Sequence, residues 1–137
     1  MPPNSPEHFV DGVGPDWGYG RAIDWRFVSG GYEPGPTTVW ARRRIPLVAG
    51  EQTSSTQRLL VVADSTNGLS GSLPMKDWYF IPPTVTATID RTPESEWMLL
   101  DARSTIGPNG IGTAHATMAD DHGPFATIAQ PLMVARR

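Results

Sequence analysis

The run from Ser55 to Gly71, STQRLLVVADSTNGLSG, constrains the fold of this chain more than any other. It is the only stretch that favours a long helix, and Leu59, Leu60, Val61, Val62 and Ala63 leave it no polar side. A helix that is apolar all round has to be covered by protein, whereas a surface helix carries only one apolar stripe. Asp64 follows at once, in the last turn before Asn67-Gly68, a candidate left-handed stop. A carboxylate there faces the negative end of the helix macrodipole, which disfavours it by about 0.3–1 kcal/mol. A buried, dipole-opposed acid needs a partner or a task, so Asp64 is the first candidate for chemistry.

What covers the helix is legible in the rest of the chain. Fourteen Gly and fourteen Pro among 137 residues leave room for few long helices and favour strands joined by short turns. Residues 1–19, with only Phe9, Val10 and Trp17 to pack, form an irregular lead-in. Residues 22–28 (AIDWRFV) alternate in polarity as a half-buried strand, and residues 37–45 (TTVWARRRI) form a second. After the helix, with Ser54 or Ser55 as its N-cap, come an aromatic run at 78–81 and strands over 84–90, 97–103, 111–119 and 125–134. Turns at 108–110 and 121–123 separate the last three. The order predicts an α+β chain with one domain over 20–137, an antiparallel sheet wrapped around one long central helix. That is the hotdog architecture.

The bulk properties exclude several functions. A net charge of -3 and a pI near 5.5 give no general attraction to nucleic acid or anionic membrane. No apolar run approaches the ~18 residues of a membrane span, and the N-terminus lacks a secretory pattern, so a cytoplasmic location is expected. The absence of Cys removes disulfides, thiolate metal sites and cysteine nucleophiles. His8, His115 and His122 show no metal-ligand spacing with carboxylates, no Gly-x-Ser-x-Gly elbow is present, and the Gly-rich segments do not follow a strand and then open a helix, as a phosphate loop would. Neither a metal nor a cofactor is expected.

The segments LLVVADSTNGLS, ATIDR, EWMLLDA and GIGTAHATMADDHGPFATIAQPLMV, in that order, resemble the C-terminal half of acyl-CoA thioesterase II and related double-hotdog thioesterases. The resemblance implies an acyl-CoA substrate and a water activated by three side chains. Matched motif by motif these fall on Asp64 at the helix end, Thr88 within Ala87-Thr88-Ile89-Asp90, and Gln130 in the last strand. The chain departs from the family in three places. The N-terminal hotdog is missing, Arg91-Thr92-Pro93 replaces a His-bearing segment, and the turn before the last strand is shorter.

The residue pattern weighs these candidates differently. Gln130 interrupts an apolar row of Ala126, Ile128, Leu132 and Val134, where an unpaired amide would cost about 1–3 kcal/mol. It is either a site residue or a structural amide. Thr88 belongs to a polar row, Thr84, Thr86, Thr88 and Asp90, opposite Val85, Ala87 and Ile89. That row faces solvent unless a bulge after Pro82-Pro83 reverses it, and only the resemblance assigns Thr88 to the site. Arg42 and Arg44 share a strand face and are candidate phosphate contacts, or else a solvated edge that resists pairing. Asn67 and Gly68 beside Asp64 complete the candidate substrate contacts. Asp64-Ser65-Thr66-Asn67 also begins a hydratase-like motif, but residues 68–71 offer no His.

The expected function is therefore hydrolysis of acyl-CoA by Asp-activated water. The alternative is a non-catalytic hotdog that binds acyl chains or pairs with a catalytic subunit. An open sheet edge predicts a homodimer, or pairing with a separate N-terminal-type hotdog chain.

Overall fold

The computed structural model describes residues 16–137; of the lead-in expected over 1–19, residues 1–15 lie outside it. A short helix α1 (Gly18–Ala22) runs directly into β1 (Ile23–Ser29), and β2 (Thr37–Arg43) pairs back antiparallel. Two helices follow, α2 (Ser55–Ala63) and α3 (Thr66–Ser70), then β3 (Trp78–Ile81), β4 (Thr86–Ile89), β5 (Met98–Ile106), β6 (Ile111–Asp120) and β7 (Gly123–Arg136). The strands form one antiparallel sheet in the order β1-β2-β5-β6-β7-β3, with β4 also on β7. This is the curled hotdog sheet that the strand pattern predicts.

The α2 start is fixed by a reciprocal cap. Ser54 Oγ accepts the Gln57 N–H and Gln57 Oε1 accepts the Ser54 N–H, satisfying two otherwise orphaned donors. The helix then lays Leu59, Val62 and Ala63 against the inner residues of the sheet, among them Ile23, Val39, Met98, Met118 and Ile128. Near-complete burial of the larger of these side chains, Ala63 aside, stabilises the domain by about 1.5–3 kcal/mol apiece.

Two expectations about this helix are corrected. It does not run unbroken to Asn67-Gly68 but breaks at Asp64-Ser65 and restarts as α3, and Gly68 is a helical residue of α3 rather than a left-handed stop. Nor is it buried all round, because Leu60 is 45% exposed, Val61 is half-buried and Asp64 is exposed. Leu60 and Val61 line a cleft, and Val61 also packs against the edge of the core.

The β3 and β4 segments form one interrupted edge. Ile81 lies opposite Met133 and Thr86 opposite Ala129, so the edge holds one more residue than β7 across Pro82-Pro83. A shift of one residue exchanges the two faces of a strand. Trp78 and Phe80 of β3 pack with inner residues Leu132 and Val134, whereas in β4 the inward residue is Ala87, opposite Ile128.

On the outer face, Asp24 of β1 sits under two guanidinium groups, with Arg42 Nη2 at 2.8 Å and Arg44 Nε at 2.5 Å. Burial raises the Asp24 carboxyl, and hydrogen bonds from Arg42 and Arg44 more than offset it, holding it below its ordinary value. The arginine run pairs with β1 through Arg43 but lies beyond the β5 pairing, which ends at Ala41, so on that side it remains a solvated edge. At the far corner Arg91 grips the fully buried carboxylate of Asp120, which also accepts the backbone N–H groups of Glu94 and His122. Arg91 first, then those two N–H groups, hold the Asp120 carboxyl far below the usual carboxylate range against the cost of burial.

Candidate functional site

Asp64 occupies the break between α2 and α3, and the break can be accounted for carbonyl by carbonyl. The last C=O groups of a helix have no partner within it and must find one elsewhere. Leu60 O accepts the Asp64 N–H at 3.2 Å, and Val62 O accepts the Ser65 N–H at 3.1 Å. Ala63 O accepts the Thr66 hydroxyl at 2.7 Å, and Ser65 O accepts the Leu69 N–H at 2.9 Å. Val61 O and Asp64 O remain, and each is met by a side chain from a distant element. Tyr19 Oη donates to Val61 O at 2.5 Å, and Gln130 Nε2 donates to Asp64 O at 3.3 Å.

Gln130 is fully buried on the inner face of β7, in the row with Ile128, Leu132 and Val134. Its amide is spent at both ends, because Oε1 accepts the Asn67 N–H at 2.9 Å while Nε2 holds Asp64 O. It therefore ties the end of α2 to the first turn of α3 and sets the angle at which Asp64 leaves the backbone. The structure thus brings Gln130 to Asp64 through the main chain. Asn67 is held further by its Nδ2, which donates to Phe80 O at 3.3 Å.

The Asp64 side chain borders two depressions. One is an apolar cleft of about 460 Å³ between α2 and the end of β2, lined by Ile23, Ile45, Leu47, Leu60 and Val61. The other, of about 420 Å³, is bordered by Trp17, Ser65, Asn67, Gly68 and Met75. Tyr19 and Asp64 line both. The break also eases the dipole conflict seen in the sequence, since Asp64 ends α2 but directly precedes the positive end of α3.

Tyr19 was missed by sequence reasoning, which placed it in the lead-in. Its only signal was an aromatic residue in the Trp17-Gly18-Tyr19-Gly20 run. Burial pushes its hydroxyl up to about 12; the hydrogen bond with Ser65 pulls the other way, and the Asp64 charge raises it further. Tyr19 is therefore neutral at any working pH.

Of the remaining candidates, Thr88, Arg42 and Arg44 lie elsewhere, whereas Asn67 and Gly68 lie beside Asp64. Thr88 is exposed and opposite Thr127 on the outer face, so the register shift turns it away from the face that carries Gln130. The bulge that the sequence offered as a way to bring it inward does the reverse. Arg42 and Arg44 are engaged by Asp24, and Arg42 stacks over Trp97 at 4.7 Å. Asn67 and Gly68 both border the second cleft. Among the described residues no cluster of His, Cys, Asp or Glu is arranged to hold a metal ion. Among the described residues no helix is long and apolar enough to cross a membrane.

A family model described as acyl-CoA thioesterase C-terminal domain matches residues 2–134. No curated protein matches the chain. Among solved structures, an acyl-CoA thioesterase II, TesB2, from Mycobacterium marinum is similar with a TM-score of 0.66 and 17% identity, over 98% of this chain and 55% of that one. A hot dog fold protein of unknown function from Alicyclobacillus acidocaldarius gives 0.70 and 18%, over 98% and 53%. A Streptococcus mutans protein bound to acetyl CoA gives 0.61 and 12%, over 83% and 90%. At these identities the likeness concerns the fold, and this chain spans about half the length of the first two.

Proposed function

Since the chain belongs to the acyl-CoA thioesterase C-terminal domain family, we propose that it hydrolyses the thioester of fatty acyl-CoA to the free acid and coenzyme A, with Asp64 as the general base. The observation that carries this reading is the hold on the Asp64 backbone. A buried amide, Gln130, spends both its hydrogen bonds fixing the break at which an exposed carboxylate borders an apolar cleft.

In this mechanism Asp64 accepts a proton from water as the water oxygen attacks the thioester carbonyl. The tetrahedral intermediate then collapses with departure of the coenzyme A thiolate. A positioned base contributes about 10²–10⁴-fold, provided its geometry is fixed before reaction. Gln130 supplies that fixity through Asp64 O and Asn67 N rather than by touching water. Thr88 on the outer face stands apart from this step within one chain. The cleft wall of Leu60, Val61 and Ile45 suits the apolar acyl group. The β3–β4 edge, with Tyr79, Ile81, Val85 and Ile89 exposed, suits pairing with a second copy or a separate hotdog chain.

The outer-face position of Thr88 favours a second reading, a hotdog that binds acyl chains or partners a catalytic subunit. Free-thiol release from short and long acyl-CoA by the purified chain separates the two. Hydrolysis that disappears in Asp64→Asn supports the first, and a wild type that binds acyl-CoA without releasing thiol supports the second.

A further inference from the structure

The break at Asp64 is held from two sides, and only one of them involves the buried amide on β7. On the other side stands Tyr19, whose hydroxyl lies 2.5 Å from Val61 O and 2.7 Å from Ser65 Oγ. A carbonyl cannot donate, so the single phenolic proton goes to Val61 O and Ser65 donates its own proton to Tyr19 Oη. Tyr19 thus bridges residues 61 and 65, while Gln130 bridges residues 64 and 67. Between them the two side chains fix both flanks of Asp64.

The placement of Tyr19 is itself over-determined. Trp25 Nε1 donates to Gly20 O at 3.1 Å, pinning α1 to β1 beside it. The Tyr19 ring packs between Trp17, with centroids 5.2 Å apart, and Trp25, at 6.3 Å. A residue that only filled space would not need its hydroxyl aimed at the end of α2. The same ring walls both clefts that Asp64 borders, so it stands where the two meet.

We propose that Tyr19 is a positioning residue for the Asp64 carboxylate, acting through Val61 O and Ser65 Oγ, and that its ring divides the two clefts meeting at Asp64. This rests on the hydrolase reading above. Tyr19 touches neither water nor thioester; its hydroxyl is committed to the backbone and to Ser65. It fixes the direction of the base, so its loss reduces turnover more than binding.

The test compares wild type, Tyr19→Phe, Asp64→Asn and the double variant by thiol release from acyl-CoA, with amide hydrogen exchange at Asp64 and Ser65. Tyr19→Phe keeps the ring and removes only the hydroxyl. The expected result is a kcat about tenfold lower with KM within about twofold, and no further loss when the change is added to Asp64→Asn. Exchange at Asp64 and Ser65 should be at least about tenfold faster, reflecting the loosened turn. A kcat within twofold of wild type, or an equal loss in the Asp64→Asn background, overturns the proposal. A wild type that releases no thiol defeats the hydrolase reading alone. Exchange then decides whether Tyr19 holds the turn, and unchanged protection in Tyr19→Phe overturns the positioning role.

Discussion

Replacing Gln130 by Met keeps the length of the side chain and removes both of its hydrogen bonds. Gln130 is fully buried, and its two hydrogen bonds reach Asn67, which is half-buried, and Asp64, which is exposed. Asn67 N–H and Asp64 C=O would each be left without their present partner. An unsatisfied buried group costs about 1–3 kcal/mol, so about 2–6 kcal/mol is the ceiling for the pair, lowered where solvent reaches either group. Part of this is returned, because a thioether chain is cheaper to bury than an amide, and the turn can relax by a few tenths of an ångström. A net loss of about 2 kcal/mol is the central expectation. For a chain of this size it lowers Tm by roughly 6–10 °C. Urea unfolding followed by tryptophan fluorescence reads it as a lower midpoint at unchanged slope. At a temperature where the variant remains folded, thiol release should still fall about tenfold or more, because the base has lost its support. A Gln130→Met protein with wild-type midpoint and wild-type turnover would refute the claim that this amide fixes the break.

Other outcomes follow from the same geometry. Thr88→Val should leave thiol release within about twofold, because Thr88 lies on the outer face opposite Thr127; a hundredfold loss would put it in the site. Arg42→Ala and Arg44→Ala should leave KM for acyl-CoA within about twofold while lowering Tm, since both guanidinium groups are held by Asp24. Asp120 has a folded value depressed by Arg91 and two backbone N–H groups. Its stabilising contribution is thus full above the unfolded carboxylate range and lost as the pH falls through and below it. The Tm gap between wild type and Asp120→Asn should therefore be largest near neutral pH and shrink under acid titration. A gap independent of pH would contradict the assignment.

Much of the architecture was legible because period-two alternation is a local property. The inward rows of β1, β5, β6 and β7 and the Ser54 cap all follow from neighbours in sequence. Gln130 was legible for the same reason, as an amide in an apolar row. The helix break was not, because Asp64, Ser65 and Thr66 are compatible with a continuing helix. What stops it are hydrogen bonds from residues 42 and 66 positions away, Tyr19 to Val61 and Gln130 to Asp64. The apolar surplus at Leu60 and Val61 was visible, but burial against a sheet and exposure to a cleft leave the same mark on a sequence. Thr88 shows the opposite case. The alternation correctly put it with Thr84 and Thr86, and the register shift at Pro82-Pro83 kept that row outward. The roles of Tyr19 and Asp120 were not legible because they depend on partners, Ser65 and Arg91, that only the fold brings near.

The central claim is that Asp64, fixed at the break between α2 and α3, is the base for thioester hydrolysis. It is tested most directly by the single-turnover rate of thiol release from a long-chain acyl-CoA in wild type and Asp64→Asn, at matched folding and matched oligomeric state. The account predicts that Asp64→Asn lowers this rate about 10²–10⁴-fold while acyl-CoA still binds. An Asp64→Asn protein that hydrolyses at the wild-type rate would contradict it.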